Sequence, residues 1–326
     1  MASRHRWWPP LRRVLIIAFF MAVAALLIRY GRTIDWSRVA DAIAEYRVST
    51  LMLAALLTAC SYSLHCGYDL LGRAYIGHRL PRRRVAAVAF VCYAFNLNLG
   101  SLVGGVGLRY RLYSRLGLDK GQITGILTFA VATNWLGYMV LAGSAFALQW
   151  VTVPATWELG AGALRVLGFV LLGVAAVYML LCEFSRRRSW QLRDRELQLP
   201  TPALALVQFL VSICTWMAIA GVLYVLFGRQ LDYPVVLGVL LMSAVAGAIA
   251  HIPAGLGVME AVFIALLGRQ LGQGEIIATL LVYRAVYYLG PLLLATVVYL
   301  GLEGWAHKLR LPHRHRHGHA KEPHRR

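Results

Sequence analysis

A chain of 326 residues that is 59% hydrophobic and only 14% charged, with mean hydropathy +0.62, is not an ordinary soluble domain, whose surface needs far more charge. It suits a single helical membrane domain of about six to ten apolar segments. The formal charge of +19 would suggest nucleic acid in a soluble protein, but the basic residues cluster in short loops and at both termini. Membrane orientation and anionic lipid headgroups account for such clusters, and no nucleic-acid partner is expected. The cysteines at 60, 66, 92, 182 and 214 lie in or beside apolar runs without a CxxC pair, which implies small core residues and no metal or redox site.

Residues 1–13 carry Arg4, Arg6, Arg12 and Arg13 ahead of the apolar run 14–28, and the A-x-A match Ala22-Val23-Ala24 lies inside that run. An uncleaved first span with a cytoplasmic N-terminus follows. Residues 31–47, with Trp36 among alternating charges, read either as a short amphipathic helix on the outer face or as a solvated loop. A second span at about 48–71 ends in His65, Tyr68 and Asp69. The loop after it holds Arg73, Arg79, Arg82, Arg83 and Arg84 and no acid, a strong inside signal, and Asp69 is expected to pair with one of these at the interface.

Residues 85–103 are apolar apart from Asn96, Asn98 and Ser101, and the predicted break falls at Gly104-Gly105-Val106-Gly107. Arg109, Arg111, Arg115 and Lys120 follow, against Asp119 alone. The run 123–148 sets Asn134 and Tyr138 one turn apart on one helical face. Beyond a loop with Pro154, Trp157 and Glu158 come a span at 162–182, a basic loop at 183–202 and a span at 203–227.

The run 234–250 leads into His251-Ile252-Pro253-Ala254-Gly255-Leu256-Gly257-Val258-Met259-Glu260, then a short apolar piece to 268 and a last span at about 276–302. A proline, two glycines and a carboxylate here imply a break inside the bilayer. Irregular backbone survives at that depth only where protein or a wet cavity satisfies it, and an ionisable residue there marks a functional site. Arg284 lies nine residues after Glu275, about 13 Å into the last span at helical rise, with Tyr287, Tyr288 and Pro291 on its face. Glu260 is its natural partner, whether to hold the hairpin against the last helix or to line a substrate path.

Counting charges decides the topology. If 85–103 and 234–250 crossed fully, giving eight spans, the basic loops 104–121 and 183–202 would both lie outside. If 85–116 and 234–272 are instead re-entrant helical hairpins, every basic loop lies inside, as the positive-inside rule prefers. The expected fold is therefore all-α: about six full spans plus two hairpins entering from opposite faces, with 85–148 and 234–302 as units of an inverted repeat. Gly105-Val106-Gly107 matches Gly255-Leu256-Gly257 at an offset of 150, and at 153 Asn134 falls on Tyr287. Residues 1–306 form one membrane domain, and 307–326, with six of the chain's ten histidines, read as a disordered basic cytoplasmic tail rather than a metal site.

Arg109 and Arg111, after a glycine-rich break, suit a phosphate headgroup or plain interfacial anchoring. Catalysis finds no support: there is no HExxH and no phosphate loop, and Glu260 stands as a lone intramembrane acid, so neither an enzyme nor a cofactor is expected.

The segments GGVGLRYRLYSRLG at 104–117, NWLGY at 134–138, HIPAGLGVMEAVF at 251–263 and YRAVYYLGP at 283–291 resemble the transmembrane region of the lysylphosphatidylglycerol synthase (multiple peptide resistance factor) family. They are most similar to its small stand-alone inner-membrane branch, often called YbhN-like. In the synthase this region is similar to a phospholipid flippase, and a separate cytosolic domain transfers the aminoacyl group. The chain as given ends about twenty residues after its last span, so the resemblance implies lipid handling without aminoacyl transfer. Carried over, it implicates Gly255, Gly257, Glu260 and Arg284 first and Gly105, Gly107 and Arg109 second, and Pro253 of the same motif joins the candidate set. Asn134, Tyr287 and Arg111 complete the candidate substrate-binding set. The expected partners are membrane phospholipids, with anionic headgroups favoured, and a lipid-synthesis enzyme. The alternatives are an enzyme on a lipid-linked substrate and an accessory protein that presents lipid to a synthase.

Overall fold

A computed structural model describes residues 41, 43–151, 160–185, 189–192, 195–250 and 257–309. The first span at 14–28, Trp36, the loop with Pro154, Trp157 and Glu158, and the tail from residue 310 lie outside the described residues. So do His251, Pro253 and Gly255.

The described chain is helical almost throughout. In order it forms α1 (Val48–Ile76), α2 (Arg82–Leu99), a π-helical segment π1 (Ser101–Gly107), α3 (Leu108–Arg115), α4 (Lys120–Ala147) and α5 (Ala161–Phe184). After α5 come β1 (Ser189–Leu192) and β2 (Arg195–Gln198), which pair antiparallel with Ser189 opposite Gln198. Then follow α6 (Pro202–Leu226), α7 (Tyr233–Ala250), α8 (Val258–Leu267), α9 (Gln273–Tyr283), a second segment π2 (Arg284–Leu289) and α10 (Gly290–Leu309). The class is helical as expected, and the one departure among the described residues is this short hairpin within 183–202, where plain loop was expected.

Local chemistry sets the ends. Asp119 and Gln122 form a reciprocal capping box before α4, and Thr201 caps α6 with Pro202 at its first position. Among the described residues six helices are able, by length and composition, to cross a membrane: 48–76, 120–147, 162–184, 202–226, 233–250 and 273–302. The 18-residue α7 is thus long enough to span, although the sequence assigned it to half a hairpin. The 18 residues of α2 include Arg82, Arg83 and Arg84, and it falls short.

The chain doubles back twice. Gly100, at φ 83° and ψ 168°, closes α2, and π1 turns back onto the last turns of that helix. A Cβ at Gly104 would overlap the Asn96 nitrogen and the Phe95 carbonyl, so only glycine permits this approach. The break therefore lies at Gly100 and not at 104–107, which stays helical. The second reversal, between α7 and α8, places these helices side by side.

Contacts between helix ends show where each excursion starts and finishes. Ile76, ending α1, lies against Gly125 near the start of α4. Gln230, after α6, donates to Glu275 at the start of α9 at 3.1 Å, and the Tyr46 hydroxyl bonds both the Leu226 carbonyl at 2.9 Å and Thr279 at 3.2 Å. These contacts bring the end of α1 to the start of α4, and the end of α6, together with Tyr46 before α1, to the start of α9.

The core is aromatic and hydroxylated: Tyr68, Tyr113, Tyr283 and Tyr287 are among its largest fully buried side chains. Pro291 lacks the N–H that a regular helix would offer to the Tyr287 carbonyl four residues earlier. The helix widens into π2 there, and the Tyr62 hydroxyl donates to that carbonyl at 3.0 Å.

Candidate functional site

Both reversals face one cavity of about 460 Å³. The first contributes Asn96, Gly100, Ser101, Gly105 and Arg109 to its wall, and the second Ser243, Gly247, Ala248 and Met259. Asn134 and Trp135 of α4, Trp216 of α6, His65 of α1 and the π2 tyrosines Tyr287 and Tyr288 complete it. Ser101, Val131, Trp135 and Ala248 in this wall are exposed, so the cavity opens sideways between the middle of α4 and the two reversals.

Arg109 is held from behind. Its Nε donates to Asp69 Oδ2 at 3.2 Å, Nη2 to Oδ1 at 3.0 Å and Nη1 to the Gly105 carbonyl at 3.2 Å. The Tyr113 hydroxyl donates to Asp69 Oδ2 at 2.8 Å. The two side chains are 7% and 0% exposed, so this bidentate pair is a buried one. Asp69 was expected to meet an arginine of the loop after α1 at the interface. It is instead a carboxylate of the protein interior. The chain reversal at Gly100 brings Arg109 to it.

Glu260 stands in the first turn of α8, directly after Gly257, whose φ of 78° suits only glycine well. Arg284 Nε donates to Glu260 Oε1 at 2.8 Å and Nη2 to Oε2 at 3.1 Å, with its guanidinium carbon 5.6 Å from the Tyr288 ring centre. The structure thus joins the pair that the sequence singled out. It does not place them across the cavity: neither lines it, whereas the neighbours Met259 and Tyr288 do. The Arg284 side chain is 7% exposed and that of Glu260 25%.

Tyr287 is buried, sharing hydrogen bonds with Ser61 at 2.8 Å and Tyr93 at 2.9 Å. The Asn134 carbonyl accepts from Ser212 at 3.1 Å, while Tyr138 turns away to donate to the Leu241 carbonyl at 2.9 Å. Arg111 is half-buried and outside the cavity wall. Gly107 has ordinary helical angles, with φ −58°. Sequence reasoning missed His65, Tyr93, Trp216 and Tyr283 as cavity residues. His65 stacks on Tyr93 with ring centres 3.5 Å apart. No group of three or more metal-ligating side chains occurs among the described residues.

Apolar spans, two chain reversals and two arginine–carboxylate pairs, one buried and one partly open, beside a single cavity define a multi-pass helical membrane protein. The chain belongs to the lysylphosphatidylglycerol synthase transmembrane region family, whose model matches residues 13–295. It is 47% identical over 311 residues to inner membrane protein YbhN of Escherichia coli strain K12, covering 95% of this chain and 98% of that one. It is 29% identical over 289 residues to an uncharacterized protein of Synechocystis sp., covering 85% and 86%. Similarity to the phosphatidylglycerol lysyltransferase of Bacillus subtilis strain 168 is 27% over 258 residues, which is 75% of this chain but 28% of that protein.

Proposed function

We propose that this chain is an inner-membrane translocator for a phospholipid or lipid-linked substrate, with no aminoacyl transfer in its activity. The headgroup passes through the cavity while the acyl chains stay in the bilayer. The observation that carries this reading is a buried arginine in the wall of a cavity that opens sideways at mid-helix. Such a cavity falls within the range of about 300–1,000 Å³ that encloses small polar molecules, large enough for a headgroup and too small for two acyl chains as well.

In this reading 82–115 and 233–267 are re-entrant hairpins of an inverted repeat. The contacts of Ile76 with Gly125 and of Gln230 with Glu275 support it, since each hairpin starts and finishes at one end. Arg79, Arg82, Arg83, Arg84, Arg115 and Lys120 gather at the end where α1 finishes, which is then cytoplasmic. Asp69 and Glu260 are both tied to arginines, which argues against either as the free acid or base of an enzyme.

Proteoliposomes with a trace of fluorescent phospholipid test this. The wild-type chain is expected to move the lipid between leaflets without forming a new product. Gly247→Phe is expected to block that movement and leave thermal stability unchanged, because open space surrounds a Cβ at 247. Product formation would establish the enzyme instead, and movement only with an added synthase would establish the accessory role.

A further inference from the structure

We infer that the headgroup accepted by this cavity is a zwitterion with no net charge, its phosphate at Arg109 and its ammonium against the aromatic wall of Trp135 and Trp216. The inference rests on reading the cavity as a headgroup site and specifies the substrate class.

Charge balance carries it. Among the described residues that line the cavity, Arg109 is the one with a formal charge when histidine is counted as neutral, and Asp69 cancels it from behind through two hydrogen bonds. The second pair, Glu260 with Arg284, is likewise neutral and sits outside the wall. A purely anionic or purely cationic headgroup would bring an uncompensated charge to a wall whose own charges already cancel. A zwitterion brings none. The anionic preference expected of a lone Arg109 loses its basis once Asp69 is paired with it.

Hydrogen bonding then orients the ligand. A guanidinium has five N–H donors, and Arg109 uses three of them, one on Nε and one on each terminal nitrogen. One N–H therefore remains on each terminal nitrogen, two donors that match the paired oxygens of a phosphate. No carboxylate lines the cavity among the described residues, so an ammonium group meets ring faces rather than an acid. Ring faces attract ammonium groups within about 6 Å.

The test uses the purified full chain and short-chain lipids that differ only in headgroup, dihexanoyl phosphatidylcholine and phosphatidylethanolamine against dihexanoyl phosphatidylglycerol. Affinity is read from the ligand-dependent rise in melting temperature. The zwitterionic lipids are expected to bind at least about tenfold more tightly. Asp69→Asn, which frees the charge of Arg109, is expected to reverse the order in favour of phosphatidylglycerol. Should that variant not fold, Trp216→Leu serves, and it is expected to weaken the zwitterionic lipids while sparing phosphatidylglycerol. Equal or tighter wild-type binding of phosphatidylglycerol overturns the inference, even if lipid movement in proteoliposomes upholds the transport reading. Selective binding without movement upholds the inference and sinks the transport reading.

Discussion

Each reversal of the chain is fastened by an arginine–carboxylate pair, but with opposite polarity and in different surroundings. In the first, Arg109 on the returning helix meets Asp69 on the preceding span, both buried and one of them in the cavity wall. In the second, Glu260 on the returning helix meets Arg284 on the following span, behind the wall and partly open. The glycines differ as well. Gly104 is needed for space, because its neighbour would collide with a side chain, whereas Gly257 is needed for its positive φ, with nothing within 4 Å of a Cβ there. The first pair thus belongs to the cavity wall, and the second is a latch behind it.

That contrast predicts unequal losses. Asp69→Ala strands Arg109 in the interior and is expected to cost about 3–5 kcal/mol, with a milder loss when Arg109→Gln is added, measured by thermal unfolding in detergent. Glu260→Gln is expected to cost about 1.5–3 kcal/mol, because its site is partly wet and Arg284 retains the Tyr288 ring. Restored stability without restored lipid movement in the Glu260→Gln, Arg284→Gln double variant would show that the latch also serves transport. Additive losses would contradict the observed pairing.

Smaller effects separate the glycines. Gly257→Val is expected to cost about 1–3 kcal/mol through backbone strain alone. Gly104→Ala, a smaller side chain, is expected to cost a similar amount, about 1–3 kcal/mol, because it forces π1 off α2. Least of all, Tyr62→Phe removes one donor from the Tyr287 carbonyl and is expected to cost about 0.5–1.5 kcal/mol in the same assay.

The second reversal was the more legible in sequence. A carboxylate and an arginine in otherwise apolar runs stand out, and few other partners compete for them. Asp69 was obscured by its position: arginines at 73, 79 and 82–84 lie closer in sequence than Arg109, and only the reversal at Gly100 makes the distant one the neighbour. Gly100 itself looked ordinary beside the glycine cluster that follows it. Pro291 signals a disturbed helix but not that the disturbance takes π form. Charged residues in 183–202 hid the short strands, whose pairing depends on backbone bonds rather than on an apolar face.

The central claim is that the two reversals enter from opposite membrane faces and meet at one cavity. Single cysteines at positions 118 and 272, placed in a background lacking the native cysteines, test it with an impermeant thiol reagent on intact cells. Position 272 is expected to react and position 118 to be shielded until the membrane is opened. Labelling of position 118 from outside would contradict the account.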